Sequence, residues 1–261
     1  MMMSSQRFLG LLVILTCFMN PLRAEDNSLP LINRLILDSV RQMPAMGGYS
    51  PSTTANRALN QAVSDSKGTL RVDASHAMPS YCSGATYLVF LKTLAALQSY
   101  GTLPLTPGTV AALLPKGQPD GTGIWGRWNA NGPGTARLFH ELELGSNFSD
   151  LSAALPGDFL KIFWNDGIGA SEHGHSVIFL GVETKEGVPC VKFWSSNTPG
   201  GYGEKSVPRS KIHRMLFSRL KHPENINRPL SSRTDSYLSS LVKRSSSPQE
   251  MNAMCGVPMS H

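Results

Sequence analysis

The 261-residue sequence has little charge, 16% of residues, and no repeat of fixed period. The missing period removes solenoids and repeat arrays. Its 24 Gly and 18 Pro fall below the share that marks a low-complexity or collagen-like chain. With 41% hydrophobic residues, it carries enough apolar material for one sizeable core or two small ones. Excess positive charge is also scarce where it would matter. Of the net +6, Arg7 and Arg23 supply two and residues 219–261 supply three, so the chain between them is close to neutral. That distribution argues against a nucleic-acid-binding core, and no nucleic-acid partner is expected.

A long membrane-spanning run is lacking near the N-terminus as well. The apolar stretch from Phe8 to Met19 is about 12 residues, against the roughly 18 to 20 that cross a bilayer. With Arg7 before it and a polar break ending at Ala24, residues 1–24 are expected to be a secretory signal peptide cleaved near Ala24. Thr16 before Cys17 does not fit a lipoprotein box. The mature chain is then secreted or periplasmic, with no stable membrane span. Removal of the leader leaves Cys82, Cys190 and Cys255, an odd number for an oxidising compartment. The economical expectation pairs Cys190 with Cys255 and leaves Cys82 as a thiol.

Residues present at helical spacing are Leu31, Ile32, Leu35, Ile36, Val40 and Met43, ending at Pro44, and then Ala55, Ala58, Leu59, Ala62 and Val63. A short strand is expected at 69–72. Residues 82–99 form a long apolar run without Pro, read as a buried helix with Ser80 as its cap. Gly117 to Gly134, rich in Gly and Pro, reads as a long loop, followed by a helix over 135–144. From Phe159 the texture becomes β-rich, with strands expected over 159–164, 175–182, 188–195 and 212–220. Helices followed by consecutive short strands predict an α+β domain with an antiparallel sheet. Residues 222–261 are expected to be a Ser/Arg-rich mobile tail, in which 237–242 form a turn of helix or a docking point.

The chemistry concentrates at three places. Cys82 lies where a loop enters the long helix, and the positive helix end there stabilises a thiolate. His175 opens an alternating strand run, from which an imidazole can take the thiol proton without being close in sequence. A third group must orient that imidazole. Ser195 and Asn197 share a face at the end of the next strand, and Asn197 is preferred because its amide oxygen accepts the ring N–H. A rival reading makes His173 and His175, with Glu172 or Asp166, a divalent-metal site. No further ligand-spaced cluster supports it, so neither metal nor cofactor is expected. The glycines of 131–134 match no phosphate-binding fingerprint.

Taken together, Cys82-Ser83-Gly84 opening a helix, Pro156-Gly157-Asp158-Phe159-Leu160 entering a strand, and His175 opening a strand that ends Phe179-Leu180-Gly181 resemble the NlpC-type papain-like cysteine peptidases and the related CHAP-type amidases. The match covers roughly residues 78–200. It implies a papain-like domain over 25–221, with N-terminal helices and a Cys-bearing helix packed on an antiparallel sheet, plus an insertion at about 100–155. It also implies a cysteine amidase or endopeptidase acting on the stem peptides of peptidoglycan, with Cys82, His175 and Asn197 as catalytic residues. Two departures stand out. Tyr81 occupies the position where members often carry Asp, and Ser195 or Asn197 stands where the third residue is often His. Tyr81, with Trp125, Arg127 and Trp128 of the insertion, is expected to touch substrate, the rings by stacking and Arg127 by pairing with a carboxylate. Alternative readings are a non-catalytic wall-binding module on the same fold, or a secreted cysteine hydrolase acting on a protein or acyl substrate.

Overall fold

In the computed structural model, residues 28–231 and 233–258 are described, so the expected leader lies outside the described residues. The apolar spacing near residue 31 forms α1 (Leu31–Arg41), which stops before Pro44. After a two-residue strand, β1 (Met46–Gly47), comes α2 (Thr53–Ala62), whose Ser52 cap accepts the Ala55 N–H. A hairpin of β2 (Val63–Ser66) and β3 (Thr69–Val72) then leads to α3 (Cys82–Ser99).

α3 is apolar around most of its circumference, and Ala85, Leu88, Val89, Phe90, Leu91 and Leu94 have no exposed surface. A helix with no polar stripe must be enclosed on all sides. Here α1, β3, the short α5 and two strands of the large sheet surround it. Each large apolar side chain removed from water contributes about 1.5–3 kcal/mol, which makes α3 the centre of the core.

The segment 100–155 supplies α4 (Pro107–Leu113), α5 (Gly123–Asn129), α6 (Gly134–Glu141) and β4 (Gly145–Phe148). The remaining strands are β5 (Phe159–Phe163), β6 (Gly174–Lys185), β7 (Val188–Asn197), β8 (Gly201–Pro208) and β9 (Arg214–Leu220). They join β1 and β4 in a seven-stranded sheet of order β1-β8-β7-β6-β5-β9-β4. Every pairing in it is antiparallel. The molecule is therefore mixed α+β, with one large antiparallel sheet and several helices. No helix among the described residues is long and apolar enough to cross a membrane.

The Pro156-Gly157-Asp158 segment has a structural task. Asp158, fully buried, accepts two hydrogen bonds from Arg219 at 2.9 and 2.7 Å and one from the Asn33 amide at 3.0 Å, tying β5 to β9 and α1. Gly157 has φ +92°, and a Cβ there would lie 2.7 Å from the Asn33 carbonyl oxygen. Only glycine fits that approach.

Three sequence expectations are corrected. The segment 117–134 is not one long loop, because α5 lies inside it. Its Gly126 allows close packing, since a Cβ would sit 2.0 Å from the Pro119 carbonyl oxygen. The expected mobile tail is packed on the body through α7 (Ser236–Ser240) and α8 (Pro248–Met254), with Tyr237, Leu238, Leu241, Met251 and Cys255 buried. Few apolar residues are present there, but most of those in α7 and α8 are turned inward while Val242 stays exposed, and Asp235 pairs with Arg137 at 2.9 Å. Finally, Cys190 and Cys255 are both free. Cys190 is on β7, while the Cys255 carbonyl accepts from Asn147 on β4, four strands away. At about 4.8 Å per strand the separation is about 19 Å, far beyond disulfide reach.

Candidate active site

Cys82 is the first residue of α3 and is partly exposed. Its place is set by the extended residues just before it. Ser80 N–H donates to the Gly48 carbonyl at 3.0 Å, Ser50 N–H donates to the Ser80 carbonyl at 2.8 Å, and Ser80 Oγ donates to Ser196 Oγ of β7 at 2.8 Å. Ser80 is thus a tie between the helix entry and the sheet rather than the expected cap. The N-cap is Tyr81, which makes no side-chain capping bond. The first-turn N–H groups of α3 are left without a side-chain acceptor, where they favour negative charge.

His175 lies on β6 at the sheet end that meets this helix start. Its Nε2 is 3.1 Å from Asn197 Oδ1. The Asn197 amide nitrogen donates to the carbonyls of Ser195 at 3.2 Å and Gly203 at 2.8 Å. With both amide hydrogens committed, Oδ1 can only accept, so Nε2 carries the ring proton and Nδ1 is the nitrogen left for the thiol. The ring is held by Trp164, stacked at 6.5 Å, and by Phe193, edge-on at 5.7 Å. Of the two residues considered for the third position, Asn197 meets His175. Ser195 is fully buried and donates to the Ser176 carbonyl at 2.7 Å, holding β7 to β6.

The thiol responds to these neighbours. Burial raises its pKa, but a hydrogen bond and the charge of His175, the Ser176 backbone N–H and the charge of Lys161 outweigh burial and bring it from 9.0 to about 7. Tyr49, which the sequence reading missed, hydrogen-bonds Cys82. Burial, followed by the charge of Cys82 and that bond, pushes the Tyr49 phenol up to about 12, so it stays a donor. Tyr49 is delivered by a chain segment clamped between Ser80 and the β7–β8 turn, where its N–H donates to the Pro199 carbonyl at 3.1 Å. Its only sequence signal is a position after Gly47-Gly48, and nothing there indicates a partner beyond position 80.

A cleft of about 360 Å³ opens beside Cys82, lined among others by Tyr49, Tyr81, Ser83, Asp120, Asn129 and Lys161. Ser83 Oγ donates to Asn129 Oδ1 at 2.7 Å, and Asn129 Nδ2 donates to Asp120 Oδ1 at 2.8 Å. Tyr81 lines this cleft, its hydroxyl donating to Asn56 and its pKa raised by burial and by the charge of Cys82.

The segment 100–155 reaches the cleft by other residues than those expected. Trp128 is in the core, stacked on Phe90 at 4.9 Å. Arg127 is 1% exposed and forms a two-bond pair with Glu141 at 2.7 and 3.1 Å. Neither lines the cleft, because on the short helix α5 both point into the protein while Asn129 points out. Trp125 is largely buried, packs edge-on against Tyr81 and lines an adjoining hollow of about 440 Å³ rather than the cleft itself.

The residues of the rival metal reading do not converge. Glu172 pairs with Lys161, Asp166 with His213, and His175 with Asn197 and Cys82. Among the described residues, no group of three or more His, Cys, Asp or Glu is arranged to hold a metal ion.

Comparison with family models, with curated proteins and with solved structures finds no match to this chain.

Proposed function

We propose that the chain is a secreted cysteine hydrolase of papain-like, NlpC-type architecture that cleaves amide bonds in peptidoglycan stem peptides. One observation carries this reading: Cys82 at a helix start, His175 on β6 and Asn197 on β7 meet as a relay with a depressed thiol pKa. Such an arrangement makes a thiolate that can attack a carbonyl.

In this mechanism the Cys82 sulfur bonds to the scissile carbonyl carbon, and the backbone N–H of Cys82 with the Tyr49 hydroxyl receive the oxyanion. His175, which has taken the Cys82 thiol proton on Nδ1, gives that proton to the leaving nitrogen, the C–N bond breaks, and a thioester remains on Cys82. His175 then takes a proton from water, hydroxide adds to the thioester, and the acid departs with the thiol restored. Asn197 keeps the ring in the tautomer that allows both transfers. The peptide substrate class rests on the resemblance of the three motifs described above.

The test is mass spectrometry of muropeptides after purified sacculi are digested by the mature protein and by Cys82→Ala, each with and without chelator. New fragments from the wild type alone, chelator present or not, are expected. Binding to sacculi without any fragments would favour a wall-binding module. Equal cleavage by both proteins would remove Cys82 as nucleophile.

A further inference from the structure

The groove continues past His175. A second hollow, of about 230 Å³, is lined by Trp164, His175, Phe193, Asn197 and Lys205, and shares Tyr49, His173 and Gly174 with the cleft beside Cys82. Cys82 and His175 therefore sit between two limbs. The proposed chemistry decides which half of a substrate each limb holds. His175 protonates the leaving nitrogen, so the leaving half lies on its side, while the acyl half stays over Cys82, Ser83 and Asp120.

The two limbs differ in charge. Among the described residues, the lining of the His175 limb contains no Asp or Glu. Its cation is Lys205, exposed on β8 directly opposite Phe193, and Lys205 makes no ion pair among the described residues. The adjacent acid, Glu204, is engaged by Lys192. On the acyl limb the balance is reversed: Lys161 is neutralised by Glu172, and Asp120 has a hydrogen bond from Asn129 but no ion pair among the described residues. A substrate carboxylate is thus repelled from one limb and attracted to the other.

We infer that the His175 limb selects a leaving amino acid that bears a free carboxylate, with Lys205 as its counter-charge and Trp164 and Phe193 as the apolar wall. Lys205 is then a specificity residue, and the enzyme prefers bonds whose amine product is an amino acid with an unblocked acid group. This inference rests on the hydrolase reading above.

The experiment begins with the bond that the mature protein cuts in a sacculus digest. Two synthetic peptides spanning that bond are compared, one with a free carboxylate on the leaving residue and one with a carboxamide. The wild type is expected to favour the carboxylate by about five- to tenfold in kcat/KM, an advantage that shrinks as salt rises. Lys205→Ala should abolish the preference and Lys205→Glu should invert it, while iodoacetamide still labels Cys82 in both as a check that the site is formed. Equal cleavage of the two peptides by the wild type, or an unchanged preference in Lys205→Glu, overturns the leaving-group inference and leaves the hydrolase reading standing. Failure to cut any peptide overturns the hydrolase reading and the inference with it.

Discussion

His175 Nε2 lies 3.1 Å from Asn197 Oδ1, and the Asn197 amide nitrogen is held by the carbonyls of Ser195 and Gly203. The second half of this arrangement gives the first its direction. An amide free to flip would present either a donor or an acceptor to the ring, whereas this one presents an acceptor only.

Asn197→Ala is expected to lower kcat by about ten- to a hundredfold with little change in KM, since the ring loses its orientation but substrate contacts remain. Asn197→Asp should not restore the rate, because a carboxylate has no hydrogen for the two carbonyls and faces them with repulsion. Steady-state kinetics on a peptide substrate decides. A full-rate Asn197→Ala variant would show that Asn197 does not orient His175 in the proposed reaction.

The thiol pKa gives a pH prediction that needs no substrate. Iodoacetamide reacts with the thiolate, so the labelling rate of Cys82 should rise with pH through a midpoint near 7. In His175→Ala, burial is no longer offset by the imidazole, so the midpoint should move up to the ordinary thiol value of about 8.5 or beyond. Cys255, whose thiol burial pushes up to about 12, and the buried Cys190 should label only after denaturation. A midpoint unmoved in His175→Ala would break the Cys82–His175 link.

The parts of the fold and site that were legible in the sequence are those with strong local signals. The 18-residue apolar run of α3 and the alternation in β6 and β7 need no distant partner to be read. The place of Cys82 at a helix start was legible, and so was the shared strand face of Ser195 and Asn197, between which the amide oxygen of Asn197 decided. Tyr49 was not, because its value comes from hydrogen bonds to Ser80 and Pro199 segments that are remote in sequence. Trp128 and Arg127 misled for a related reason. A Gly-rich stretch suggests a solvated loop, but here Gly126 lets α5 approach Pro119 closely and turns its large side chains inward. The tail misled because mean composition hides where its few apolar residues point.

Arg127 separates a structural role from a substrate role. It also donates to the carbonyls of Gly123, Ser231 and Arg233, joining α5 to the segment before α7. Arg127→Met should therefore reduce unfolding stability by about 2–3 kcal/mol, the cost of a broken buried pair discounted because Glu141 retains some solvent. KM measured on the folded fraction should stay near that of the wild type. Urea denaturation and kinetics on the same preparation test both halves, and a raised KM at unchanged stability would return Arg127 to the cleft.

The C-terminal segment offers an internal comparison between neighbours. Leu241 has no exposed surface and packs with Ala130, Tyr237 and Leu238, whereas Val242 is 58% exposed. Leu241→Ala should cost about 2–5 kcal/mol by cavity formation, while Val242→Ala should stay within about 0.5 kcal/mol. A segment without fixed packing would give two values near zero. The effect should also reach the site, because Ala130, which Leu241 supports, lines the cleft beside Cys82 together with Asn129 and Asn131. Loosening that wall displaces the groups that position an acyl chain and leaves the Cys82–His175–Asn197 relay in place, so Leu241→Ala should raise KM more than it lowers kcat. A destabilised variant with unchanged KM would mean that this segment supports the fold without shaping the cleft.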